Sequence, residues 1–377
     1  MKQADVLVRG SGIVGQSLAL ALGRLGLQVA LRPDAPRADA APDVRAYALN
    51  AGSVNLLRML KVWDALPANA ATPVYDMHVQ GDAHEGGNPG VIDFSAWEQC
   101  VGELAWIVDA AVLERELAAA LRFAPHVQRL AHDDDGSIRA TLTALCEGKA
   151  SATREALGVQ FDRHDYGHSA IAARLTASAP HRGVARQWFR SPDVLALLPF
   201  DAPAAQRSYA LVWSLPRERA QALLALDGAA FEAALMQATV GEAGQLSLAG
   251  ERAVWPLMLA QASAWCGPGW VLLGDAAHVV HPLAGQGLNL GLADVATLAR
   301  VIAEREPWRA LDDPKLLRRY ARARALPTWA MGQLTDALLH LFAHPAPVAR
   351  ELRNRGLTLV NRLSPVKRWL TAKALDA

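Results

Sequence analysis

The sequence predicts an α/β fold: a Rossmann-like nucleotide-binding domain, a β-sheet domain inserted into it, and helices at the C-terminal end. Three observations carry that reading. Residues 5–32 read as a strand, a glycine-rich turn, a helix and a second strand. Residues 166–215 read as a run of β segments. After Pro314 the pattern is helical.

The 377 residues leave room for two domains, and 52% hydrophobic against 20% charged residues describes a globular chain. A net charge of +1 gives no general attraction to nucleic acid. Cys100, Cys146 and Cys266 form no CxxC pair. This argues against a disulfide framework or a zinc site and fits a reducing cytoplasm. No uncharged apolar run reaches the roughly 18 residues of a membrane span. Lys2 and the apolar stretch behind it resemble a signal peptide, but Asp5 and Arg9 interrupt the lead-in.

The glycine spacing explains that stretch better. Asp5-Val-Leu-Val-Arg9 is a buried strand, Gln16 to Leu25 a helix, and Gln28 to Arg32 the next strand. Between them stands Gly10-Ser-Gly12-Ile13-Val14-Gly15. Gly10 permits the tight turn, Gly12 lets a pyrophosphate approach the backbone, and Gly15 lets helix and strand pack closely. The helix N-terminus then offers free N–H groups to phosphate. The acid expected about 20 residues further on, to hold ribose hydroxyls, is missing. Arg32-Pro33-Asp34 stands there instead. Asp34 is a late substitute, or Arg32 accepts a 2′-phosphate, which is an NADP reading.

Arg45, in Asp43-Val-Arg45, can reach a diphosphate bidentately or pair with Asp43. Ser53 to Leu60 is an amphipathic helix, and residues 73–97 alternate as strands and turns. Ala110 to Phe123 is a helix with Leu113, Leu117 and Leu121 on one face. Asp133 to Gly136 is a turn. Glu147-Gly148, Ser151 and Arg154 form a strand end and short helix, read either as a second wall for a diphosphate or as an ordinary loop. Ser169–Leu175, Val184–Phe189, Val194–Phe200 and Ser208–Ser214 then make a separate sheet able to roof a cavity. Trp188, Phe189, Phe200 and Trp213 are assigned to its core.

Residues 274–295 are the densest stretch. Trp270 to Asp275 reads as a buried strand ending in Gly274-Asp275. A carboxylate at that strand end faces the crevice where ligands lie and can accept hydrogen bonds from polyol hydroxyls. Leu288 to Val301 is a helix. Gly285 and Gly287 leave its first N–H groups bare at the positive end of its dipole. Such a terminus suits a planar ring edge that gains negative charge, as reduced flavin does beside N1. The glycines let the ring approach, and Pro282 flanks its face without a donor. His278 and His281 are read as ordinary histidines beside a crevice, not as metal ligands.

These residues resemble the group A FAD-dependent aromatic monooxygenases of the para-hydroxybenzoate hydroxylase type, most of all the ubiquinone-biosynthesis hydroxylases. The motifs are residues 10–15, the modified Glu147-Gly148…Ser151…Arg154, and Gly274-Asp275…Pro282-Leu-Ala-Gly-Gln-Gly-Leu-Asn-Leu-Gly291…Asp294. Weaker likeness covers nearly the whole chain. The resemblance implies an extended FAD, with Gly10, Gly12, Ile13, Val14 and Gly15 on its ADP half and Arg45 at the diphosphate. Gly274 and Asp275 would serve its ribityl or diphosphate side. Pro282 and the Gly285-Gln286-Gly287-Leu288-Asn289 backbone would serve the isoalloxazine. It further implies NAD(P)H as transient reductant and O2 as co-substrate, and no separate nicotinamide domain. A C4a-hydroperoxyflavin would hydroxylate a small hydrophobic aromatic, a prenylated phenol of ubiquinone biosynthesis.

The corresponding division places an FAD-binding domain in 1–73, 101–160 and 265–305, a substrate domain in 74–100 and 161–264, and a helical region in 306–377. Three departures stand out: the absent ribose acid, Glu147 in place of Asp, and a short segment between Phe123 and Glu147. No catalytic base is assignable; Tyr47, Arg207 and Tyr209 are choices from chemistry alone. Two alternatives remain open: a flavin reductase on the same scaffold, and a non-catalytic flavoprotein subunit of a quinone-biosynthesis assembly. A halogenase of this lineage would carry a WxWxIP segment, which is absent. Residues 346–377 carry seven Arg or Lys against two acids, with Trp369, Leu370 and Leu375. That region is either a solvated helix face or a contact with an anionic membrane surface or multi-enzyme complex, placing the protein in the cytoplasm or peripherally on the inner face of the membrane.

Overall fold

The computed structural model describes residues 2–34, 43–81, 89–132, 138–280 and 286–343. It opens with β1 (Lys2–Arg9), α1 (Ile13–Arg24) and β2 (Val29–Arg32), the expected unit. Gly15 to Gly23 of α1 are buried all round, because strands lie on one side and later helices on the other. β3 (Ala46–Leu49), α2 (Ala51–Met59) and β4 (Ala71–Val74) follow. Asn50 caps α2 by accepting from the Ser53 amide. Next come β5 (Asp76–Gln80), β6 (Val91–Ser95), α3 (Ala96–Gln99), β7 (Ala105–Asp109) and α4 (Ala110–Leu121). Leu113, Leu117 and Leu121 are buried as the helical spacing predicts. β8 (Val127–Arg129), β9 (Ile138–Leu145) and α5 (Ala152–Ala156) lead into the inserted β region.

That region contains β10 (Phe161–Ala177), β11 (Val184–Arg190), β12 (Asp193–Phe200), β13 (Ser208–Pro216), α6 (Arg217–Ala225), α7 (Gly228–Thr239) and β14 (Leu246–Ala262). The chain returns through β15 (Cys266–Gly267), β16 (Trp270–Leu272), a 3-10 turn at Gly274–Ala276, β17 (His278–Val279), α8 (Gln286–Ala303) and α9 (Pro314–Ala343).

Three sheets result. A six-stranded sheet has the order β15-β16-β9-β1-β2-β8, parallel except for edge strand β15. Its strand β2 is buried at every residue, β1 alternates between buried and half-buried positions from Ala4 onward, and β9 is buried toward its C-terminal end. An eight-stranded sheet has the order β17-β14-β10-β13-β12-β11-β5-β6. One face buries Ile171, Leu175, Trp188, Leu197, Leu211 and Trp213 with Phe231 and Leu235 of α7. On the other face, cross-strand pairing lines up Ala253, Ala172, Val212, Ala196 and Gln187 in one row. A three-stranded sheet, β3-β7-β4, is hydrogen-bonded to neither, and packs Val74 and Ile107 against Ala185 and Phe200 of the eight-stranded sheet.

Several expectations need correction. Gly274 and Asp275 are not the last residues of a strand: β16 ends at Leu272, and both lie in the following 3-10 turn. The inserted sheet is not separate from that motif either. Residues 278–279 form its edge strand, paired with Ala260 and Gln261. β5 and β6 complete its far edge. No described helix is long and apolar enough to cross a membrane. The turn at 133–136 and the basic region 346–377 lie outside the described residues.

Candidate cofactor site

Glycines bring the two glycine-rich motifs into contact. Gly10 has φ +103°, and a Cβ there would lie 2.2 Å from the Cys146 carbonyl oxygen on the neighbouring strand. A Cβ on Gly15 would lie 1.9 Å from the Gly10 carbonyl oxygen. Val14 of α1 fits between the later glycines: a Cβ would stand 3.2 Å from its side chain at Gly274 and 2.7 Å at Gly291. These four positions are glycine because backbone or side chain already fills the space. Gly12 and Gly287 differ. Among the described residues, the one atom within 4 Å of a Cβ at Gly12 is Glu114 Oε1, at 4.0 Å, and none comes within 4 Å of one at Gly287. Their backbones face open space at the starts of α1 and α8. Gly12 is the N-cap of α1, no side chain caps that end, and no acid occupies its first turn. Its amides and positive dipole end are therefore presented to the cleft.

Asp275 lies beside this opening. Its side chain is solvent-accessible yet surrounded by protein, as at the floor of a cleft. Burial raises its pKa, opposed by the charges of His278, Lys149 and Arg45. Among the described residues no hydrogen-bond donor engages its carboxylate. Arg45 adopts the ion pair with Asp43, with Nε–Oδ1 at 2.8 Å and Nη2–Oδ2 at 2.6 Å. Its guanidinium also lies 5.6 Å from the Tyr47 ring and 5.9 Å from that of Trp255 on β14. Arg45 thus bridges the cleft to the inserted sheet. Burial pushes the Tyr47 phenol up to about 12, with Arg45 opposing and Asp43 and Asp275 adding. It is a neutral hydroxyl at ordinary pH.

Behind the cleft the polar groups are fully engaged. Asp294 is completely buried and accepts from the Gly274 amide at 2.9 Å, His278 Nε2 at 2.7 Å and Arg324 Nε at 2.7 Å. Burial alone would raise its pKa, but His278 and Arg324 hold it below the usual carboxylate range. His278 stacks on Trp265 with ring centroids 5.1 Å apart. The network ties the turn to α8 and α9. Asn289, also buried, accepts from the Asn50 amide at 3.0 Å and Ser53 Oγ at 2.7 Å and donates to the Ala48 carbonyl at 2.8 Å. Its side chain therefore clamps α8 to β3 and α2, leaving only its backbone for a ligand.

Glu147 is likewise occupied. It accepts from Ser151 Oγ at 2.6 Å, Thr153 Oγ1 at 2.7 Å and Arg9 Nε at 2.7 Å. Burial raises its pKa, but these donors outweigh that and keep it ionised. The extra methylene carries its carboxylate onto the first turn of α5. Arg154 is fully buried, donates to the Ala276 and Lys149 carbonyls at 3.0 and 3.1 Å, and lies 3.7 Å over the Phe161 ring. These two residues brace the cleft wall from within.

Of the residues singled out from sequence, Gly10, Gly12, Ile13, Val14 and Gly15 lie in the turn before α1 and its first residues, Gly274 and Asp275 in the turn packed on Val14, Gly287, Leu288 and Asn289 at the start of α8, and Arg45 close enough to Asp275 to oppose the rise of its pKa. Gln286 begins α8, but its side chain, like Pro282, Gly285 and His281, lies outside the described residues. Arg32 is buried at the end of β2, level with Arg9. Tyr209 belongs to the core on the helix-covered face, so a role at the cleft is overturned by its burial against His181. Arg207 is exposed in a loop. Sequence reasoning missed Glu114 and Arg324, both of which look like ordinary surface charges on amphipathic helices. No group of three or more side chains suited to a metal occurs among the described residues.

The donor set fits FAD on structural grounds: the uncapped start of α1 with its glycine-bared backbone, Gly287 in the first turn of α8, and the open carboxylate of Asp275. A family model described as "FAD binding domain" matches residues 3–335. The chain is 33% identical to the Rhodospirillum rubrum protein named ubiquinone hydroxylase UbiL, over 99% of this chain and 90% of that protein. It is 30% identical to the Escherichia coli 3-demethoxyubiquinol 3-hydroxylase, over 98% of each. The solved structure of PqsL from P. aeruginosa in complex with 2-aminobenzoylacetate superposes with TM-score 0.77 at 22% identity, over 94% of this chain and 99% of that one, a likeness of fold. The chain therefore belongs to the family of FAD-dependent aromatic monooxygenases that includes the ubiquinone hydroxylases.

Proposed function

We propose that the protein binds FAD in this cleft and hydroxylates an aromatic ring, that of a prenylated phenol on the route to ubiquinone. The observation that carries the reading is the seating of Val14 between Gly274 and Gly291, which makes the start of α1, Asp275 and the start of α8 border one opening. In this reading the α1 amides and Arg45 hold the diphosphate, Asp275 accepts from ribityl hydroxyls, and the α8 backbone meets the ring edge that becomes anionic on reduction. Bound FAD, reduced by NAD(P)H, would supply O2 activation and transfer of one oxygen atom to the ring.

The chain's own residues bind, orient and exclude water. The row Ala253, Ala172, Val212, Ala196 and Gln187 offers small side chains and one amide, leaving space for a bulky apolar substrate. Residues 74–100 and 161–264 then act as the substrate domain, and 1–73, 101–160 and 265–305 as the FAD domain. The basic region 346–377 would contact the membrane or an assembly that holds such a greasy substrate. No side chain is needed as a metal ligand, and Tyr47 is too weak an acid to serve as an anionic base.

The test is direct. The purified full chain, supplied with FAD, NADH or NADPH, O2 and a short-chain prenylphenol, is expected to yield a ring-hydroxylated product carrying one atom from 18O2. Flavin binding with nicotinamide oxidation but no labelled product would refute hydroxylation.

A further inference from the structure

A third carboxylate faces the cleft, and the reading above gives it no task. Glu114 Oε1 stands 4.0 Å from the Cβ position of Gly12, the N-cap of α1. Glu114 is half-buried on α4, which packs on α1 and β7. Asp43 and Arg45 face it from the segment before β3, and Tyr47 faces it from β3 itself. α1 brings no charged side chain there, since its only one, Arg24, lies at the far end. Asp109, the last residue of β7 and the N-cap of α4, is held by Arg174 at 2.8 Å, and Arg115 and Glu116 pair with each other at 3.1 Å. Burial raises the Glu114 carboxyl, Arg45 opposes this, and Asp43 adds to it. Arg45 shares its charge with Asp43.

The cleft mouth therefore carries Asp43, Glu114 and Asp275 against Arg45 and Lys149. A diphosphate entering this mouth adds further negative charge beside Glu114. We infer that Glu114 is the proton-linked determinant of FAD retention. Ionised, it repels the diphosphate at the α1 turn; protonated, it removes that repulsion and offers an O–H donor. FAD binding then takes up a proton, and affinity falls as pH rises through the titration of Glu114. This rests on FAD lying in the cleft as proposed above.

The test uses the full chain stripped of flavin and titrated with FAD by fluorescence from about pH 5 to about pH 8. The parent is expected to lose about tenfold in affinity across that range. Glu114→Gln should bind about tenfold more tightly than the parent at the upper end and lose most of the slope. Calorimetry in buffers of different ionisation heat should show proton uptake in the parent and a smaller uptake in Glu114→Gln. Glu116→Gln makes the same charge change two residues away on another side of α4 and should behave as the parent. Glu114→Ala serves as a second variant should the glutamine protein melt early. An unchanged slope in the position-114 variants, or no gain in affinity at the upper end, overturns the inference. Failure of every chain to bind FAD at any pH would instead overturn the cofactor reading beneath it.

Discussion

Asp275 and Asp294 lie on opposite sides of the same turn and have opposite fates. Asp275 faces the cleft without a hydrogen-bond donor among the described residues, and burial raises its pKa. Asp294 is sealed behind it with the Gly274 amide, His278 and Arg324 around its oxygens, and its pKa is lowered. One carboxylate is left underused in the protein alone; the other is saturated. A buried charge stays only where partners satisfy it. An open carboxylate in a crowded cleft is a liability to the fold, which a ligand's donors can relieve. The contrast separates the part of the motif that builds the cleft from the part that meets the ligand.

The strongest attempt to break that contrast acts on the scaffold. Gly15→Ala places a methyl carbon 1.9 Å from the Gly10 carbonyl oxygen. It is expected to cost about 4 kcal/mol or more, read as loss of soluble protein or a collapsed urea midpoint. Gly12→Ala, which meets open space, should fold normally, and equal losses in both would break the division of the glycines.

Next in size is the buried side. Arg324→Leu leaves Asp294 short of a cation and should cost about 3 kcal/mol in urea unfolding. The sign of its pH dependence follows from the lowered pKa. Asp294 contributes stability in full above its unfolded value of 3.8 and loses it as pH falls through the lower folded value. Asp294→Asn should lack that part of the acid limb.

Asp275 should behave in the opposite sense. Its folded pKa is raised, so its ionisation disfavours the folded chain once pH exceeds 3.8. Asp275→Asn should leave flavin-free stability unchanged or slightly higher, while FAD affinity drops about tenfold by titration, as expected for one lost charge-assisted hydrogen bond. A variant that unfolds but still binds FAD normally would reverse the assignment of the two acids. The smallest effect belongs to Ser151→Ala, which removes the α5 cap and one donor to Glu147. A loss of about 1 kcal/mol is expected in the same unfolding measurement.

Much of this was legible from local pattern. The βαβ unit, α4 and the β segments of the inserted region follow from periodicity, because burial on one face imposes a repeat on the chain. Residues 217–239 gave weaker cues, since α6 and α7 bury only scattered apolar positions such as Ala220, Leu223, Phe231 and Leu235. The pairing of β3, β7 and β4 was equally hidden, because short strands distant in sequence share no local signal.

By itself the sequence determined the fold class, the family and the glycine-rich motifs, since spacing and residue type act locally. Only tertiary structure decided which glycines are filled and which are bare, which aspartate is sealed and which open, and that Glu114 stands at the start of α1. Those distinctions depend on atoms brought together from separate helices and strands. The electrostatic environment of a carboxylate is the sum over such neighbours, and no stretch of chain carries that sum alone.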